Sequence, residues 1–177
     1  MLAQIASDSS AYKFLLVLHI LCAIVGFGTV FFNGIYGAQA KNRPGPEGLA
    51  ITQANVLVSR IGEYFIYAVF VFGVLMVLFS PYDRYDFETT FVWVSMLLYL
   101  IGIAISHAVL WPNVRKMTAL SAELVAMGPP PAEMPAGATP PPQVMEIEER
   151  AKRVAIADNV LKVLLVVILG LMVWKPL

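Results

Sequence analysis

The chain alternates between long apolar runs and short polar breaks, and the runs set its elements. The first run, KFLLVLHILCAIVGFGTVFFNGIYGA over residues 13–38, holds one ionisable side chain away from its ends, His19. A run of this length predicts a helix that crosses a bilayer, which takes ~20 apolar residues. KNRPGPEG, residues 41–48, breaks it with two prolines and two glycines. A second helix is expected to begin near Leu49, with its membrane part over residues 61–80 and a stop at Ser80-Pro81-Tyr82. The loop PYDRYDFE that follows is acidic and tyrosine-bearing, as at a membrane–water boundary. A third span covers residues 90–111. Beyond Pro112, VRKMTALSAELVAM keeps the spacing of an amphipathic helix lying off the membrane. Residues 128–142, GPPPAEMPAGATPPP, cannot pack a core and read as a semi-rigid linker or a docking segment. The last helix is expected from about Gln143, charged at first and then apolar over residues 157–174.

These elements predict an all-α fold, a four-helix transmembrane bundle forming a single domain over residues 1–177. Nine of the twelve Lys and Arg residues fall on one side: Lys41, Arg43, Arg60, Arg115, Lys116, Arg150, Lys152, Arg153 and Lys162. Cytoplasmic loops carry the excess of basic residues. Both termini are therefore expected outside, with helices two, three and four extending into the cytoplasm. The expected location is a bacterial plasma membrane, with the lipid bilayer as the first partner. Ala38-Gln39-Ala40 has the form of a signal-cleavage site. The segment before the run carries Asp8 and no basic cluster, and the run exceeds the ~7–15 residues of a signal core. It is read as a retained span.

Composition narrows the class. The chain is 59% hydrophobic and 14% charged, where soluble domains are about a quarter charged. Zero formal net charge argues against a nucleic-acid partner. Cys22 is the only cysteine, which excludes an internal disulfide and a thiolate zinc cluster. GxSxG, P-loop, HExxH and dinucleotide fingerprints are absent, and Gly26-x-Gly28 lies inside a span where it cannot cradle a phosphate. No catalytic residue is assigned.

Counting ~1.5 Å per residue along four antiparallel spans places side chains by depth. His19 falls in the outer layer with Met76, Met96 and the stretch from Leu169 to Met172. An imidazole and a thioether can ligate haem iron axially or form a soft Cu(I) site. Methionine is also a routine core filler, and a membrane histidine can simply bond a neighbouring helix. His107 falls near the cytoplasmic surface, roughly 16 Å in depth from His19, so the two are not expected to hold one haem. Glu63 shares its level, with Arg60, Asp158 and Lys162 nearby. That layer suits a proton relay, a quinone-headgroup site or an interfacial charge network.

The run KFLLVLHILCAIVGFGTVFF, with a histidine ahead of a glycine-containing stretch, and the ending VLLVVILGLMVWKPL resemble a group of small four-helix membrane proteins. The group comprises the HemJ-type protoporphyrinogen oxidases, the copper-resistance D membrane domain and a family of predicted integral membrane proteins. HemJ-type proteins are associated with haem, and their first-helix histidine matches His19. The chain departs from them in FVWVSMLLYLIG, which has no lysine, and at Asp158-Asn159, where they carry Asn-Glu-x-Pro. The predicted integral membrane family is the closer match. The resemblance implies haem b on His19 in a redox or haem-related role. The alternative is a non-catalytic accessory subunit of a larger membrane complex, or a homo-oligomer. Small-ligand transport has no positive feature beyond the spans.

Overall fold

The computed structural model describes residues 10–43, 45–80, 86–128 and 140–175. Helices α1 (Ser10–Asn42) and α2 (Pro46–Leu78) each have 33 residues. Helix α3 (Thr90–Ile105) runs through a π turn, Ser106–Leu110, into α4 (Trp111–Ala126), and α5 (Pro142–Trp174) closes the order. With α3, the π turn and α4 taken as one helix, the described residues hold four helices long and apolar enough to cross a membrane. A helix of this length reaches ~50 Å, well beyond the ~30 Å hydrocarbon layer. Residues 129–139 of the proline-rich segment, Arg84, Asp8 and Ser9 lie outside the described residues.

Glycine makes the turn between α1 and α2 possible. Gly45 has φ 81°, and a Cβ on Gly48 would meet the carbonyl oxygens of Arg43 and Ala40. Pro46 then opens α2, where its missing N–H costs nothing. The chain enters α3 differently. Thr89 donates its N–H and its hydroxyl to Asp86 Oδ1, each at 2.8 Å. These bonds hold the Asp86 carboxyl below the usual carboxylate range, the Thr89 hydroxyl most of all.

The most extensive contact in the bundle joins α1 to α2. It is built on small residues, which let backbones approach closely in a membrane. A Cβ on Gly26 would come 3.0 Å from the Ile66 backbone nitrogen. One on Gly62 would collide with Thr29. Lower down, Ser59 Oγ donates to Asn33 Oδ1 at 2.9 Å and ties the pair by a side-chain bond. Four small residues of α1, spaced by four and eight positions, do not share one neighbour. Cys22 and Gly26 are buried, Gly34 faces α5 and Ala38 is exposed.

Helix α5 packs against α3 and α4, and touches α1. Lys162 Nζ donates to Asp158 Oδ2 at 2.6 Å, with both side chains largely buried. A Cβ on Gly34 would come 3.2 Å from that ammonium, so glycine leaves the pair its room. At the far end, Arg150 Nη1 donates to Asn113 Oδ1 at 3.0 Å across the α4–α5 contact. Helices α2 and α3 meet where Tyr99 Oη donates to the Ile66 carbonyl at 2.8 Å and the Phe70 and Tyr99 rings stack at 5.2 Å.

Pro112 does not end the third helix. It lacks the N–H that the Ala108 carbonyl would accept, and its ring crowds that carbonyl. The turn before it widens to π geometry, with Trp111 N–H bonded to the Ser106 carbonyl five residues back. Asn113 Nδ2 donates to the Val109 carbonyl at 2.7 Å, and the helix continues.

Candidate functional site

His19 packs against α2. Its Nδ1 lies 3.0 Å from the Val69 carbonyl oxygen, which can only accept, so Nδ1 carries the proton. Nε2 then has a lone pair, and no partner for it is found among the described residues. Gly73 lies beside the ring; a Cβ there would stand 3.3 Å from Cε1. Cys22, one turn along α1, and Val69 are both buried, so the surroundings are apolar. This is the arrangement that orients a ligating imidazole: one nitrogen donates to a carbonyl and the other is left basic.

The stacked Phe70 and Tyr99 set the levels of the facing helices. Gly73 and Met96 each lie three residues from them towards the same end of the bundle, so Met96 shares the level of His19. Met76 lies three residues beyond Gly73, roughly 4.5 Å farther along. Both methionines are half-buried.

A second polar cluster sits at the end of the bundle richest in Lys and Arg, called here the basic end. Tyr67 Oη donates to Glu63 Oε1 at 2.5 Å. The same oxygen lies 3.0 Å from His107 Nε2. Nε2 is also 3.3 Å from Glu63 Oε1, so the three atoms form a triangle. Two outer bonds hold it. His107 Nδ1 donates to the Ile103 carbonyl at 3.1 Å, and Trp111 Nε1 donates to Glu63 Oε2 at 3.2 Å. Arg60 lies over the Trp111 ring, 5.7 Å from its centroid. The π turn carries His107, and such turns recur at functional sites.

The structure thus brings Glu63 and His107 into contact. Asp158 and Lys162, expected in the same layer, pair with each other and face α1 instead. His19 contacts α2 at Val69 and Gly73, His107 at Glu63 and Tyr67. Glu63 and Tyr67 reach His107 with long side chains; by the level that the stacked Phe70 and Tyr99 set, His107 stands about nine residues from His19, roughly 13 Å along the bundle. Tyr67 and Trp111 were not singled out by sequence. The signals for them were the four-residue step from Glu63 to Tyr67, which puts both on one face, and the pairing of Trp111 with Pro112 at a helix discontinuity.

Over residues 13–176 the chain matches the family described as predicted integral membrane protein (DUF2269). That match covers nearly the whole chain, so the protein is an integral membrane protein of this family, a small multi-pass bundle of four apolar helices. No curated protein and no solved structure matches it.

Proposed function

We propose that the protein holds a b-type haem on His19 and serves a redox or haem-related role in the membrane. The hydrogen bond from Nδ1 to the Val69 carbonyl carries this reading, because it leaves Nε2 as a neutral ligand in apolar surroundings. The residues fit the group. Iron takes a neutral imidazole nitrogen, a porphyrin face needs dry neighbours, and Gly73 offers the ring no obstructing side chain. Met96, at the same level, is the first choice for a second ligand; Met76 is the other. When bound, the haem supplies one-electron chemistry, while His19 fixes its position and depth. The resemblance of the first helix to HemJ-type chains supports the same residue. The basic end is read as cytoplasmic, by the excess of Lys and Arg there, and the membrane as a bacterial plasma membrane.

The experiment is an absorption spectrum of the protein purified from membranes with haem supplied during growth. The expected result is a Soret band with an α band in the reduced-minus-oxidised difference, and haem near one per chain. A colourless protein that co-purifies with stoichiometric partners overturns the reading in favour of an accessory subunit. Copper at one per chain, without a porphyrin band, replaces the haem with a soft metal.

A further inference from the structure

We propose that Glu63, Tyr67 and His107 form a proton-exchange site at the basic end of the bundle, with His107 as the entry group, Tyr67 as the bridge and Glu63 as the inner terminus. The site is independent of any ligand on His19.

The proton count of the triangle carries this. His107 Nδ1 holds its proton because it faces the Ile103 carbonyl. The Glu63 Oε2 atom is occupied by the Trp111 N–H. Three atoms remain within hydrogen-bond reach of one another: Nε2, Oη and Oε1, at 2.5, 3.0 and 3.3 Å. With an ionised carboxylate and a neutral imidazole, only the tyrosine proton lies inside the triangle. One contact is then a hydrogen bond, and the other two set lone pairs against each other. One added proton satisfies the chain Nε2–H to Oη and Oη–H to Oε1. The cluster is built to hold that proton.

Its geometry also provides a path. The His107 side chain is 51% exposed and that of Glu63 20% exposed, so the imidazole is the more open end of the path. In the transfer, the Nε2–H bond breaks as Oη–H forms, and the original Oη–H bond breaks as Oε1–H forms. Neutral imidazole and neutral carboxyl result, and no electrons move. Imidazole is the side chain suited to such exchange near neutral pH.

The other ionisable neighbours are Tyr64 on α2 and Tyr99 on α3, both near Tyr67, and Arg60, which lies over Trp111. Asp158 and Lys162 on α5 are paired with each other. None of these supplies a second carboxylate to the triangle.

The test uses the full chain in liposomes, labelled with ¹⁵N-histidine and ¹³C-carboxyl glutamate. With two histidines the imidazole signals are few, and a His19→Gln variant assigns them. In the wild type, the His107 ring and the Glu63 carboxyl are expected to move together through one pH transition. Glu63→Gln removes the carboxylate that ends the chain of bonds, and is expected to change the pH response of the His107 ring signals. The His19 signal should not move, which shows that the fold is kept. Tyr67→Phe removes only the bridging hydroxyl, and is expected to split the shared transition into two. His107 signals that respond identically in wild type and Glu63→Gln, or separate transitions already present in the wild type, overturn the proposal.

Discussion

Gly26 and Gly28 are two positions apart in α1 and stand in different surroundings. A methyl on Gly26 would press on the Ile66 backbone, whereas Gly28 has nothing within 4 Å. Gly26→Ala is therefore expected to lower stability by about 1–3 kcal/mol, the range for overpacking a tight contact. Gly28→Ala is expected to be neutral or to gain up to ~1 kcal/mol from the better helix former. Thermal unfolding in detergent, read by circular dichroism, separates the two; equal losses contradict the packing described. The neighbours of the small residues of α1 were not legible in the sequence. Helical steps say which residues share a face, and only the tertiary arrangement sends Gly26 to α2 and Gly34 to α5. His19 was legible because an ionisable group inside an apolar run is rare and costly. Its carbonyl partner was not legible, since any backbone oxygen at that depth could serve.

Among the elements, α5 carries its own ion pair into the bundle. Asp158→Asn leaves the largely buried Lys162 ammonium without its counter-charge, and is expected to cost about 1–3 kcal/mol, below the figure for a fully buried pair. The double change Asp158→Ala and Lys162→Ala is expected to recover part of that loss, because it leaves no unpaired charge. Detergent melting curves of the single and double variants check this; a double variant no better than the single removes the pairing explanation. The other element of interest is the turn from Ser106 to Leu110. Apolar spacing predicted that helix would go on past Pro112, and it does. Spacing says nothing of how the backbone accommodates a proline, so the wide turn that brings His107 to Tyr67 was invisible. Residue counting made Glu63 and His107 legible as one layer, while Tyr67 and Trp111, which carry no charge, were not singled out.

For the whole molecule, the four long apolar helices were plain in the sequence, because hydropathy over such lengths has one reading. The expected orientation rests on Lys and Arg placement. Single cysteines at Ser9 and Ala136 should label from opposite sides, Ser9 from outside the cell and Ala136 only after permeabilisation. Labelling of both from one side contradicts it. Counting along upright helices placed the two histidines ~16 Å apart in depth, and the level set by Phe70 and Tyr99 puts them roughly 13 Å apart along the bundle. They nonetheless differ in what their nitrogens can do. His19 Nε2 has no partner among the described residues, and His107 has its Nε2 engaged by Tyr67 and Glu63. The most direct measurement is haem content per chain in wild type, His19→Ala and His107→Ala, each shown to be folded by detergent chromatography. The prediction is that His19→Ala abolishes haem and His107→Ala retains most of it. Retained haem in His19→Ala, with loss in a well-folded His107→Ala, would move the site to the basic end and contradict the assignment.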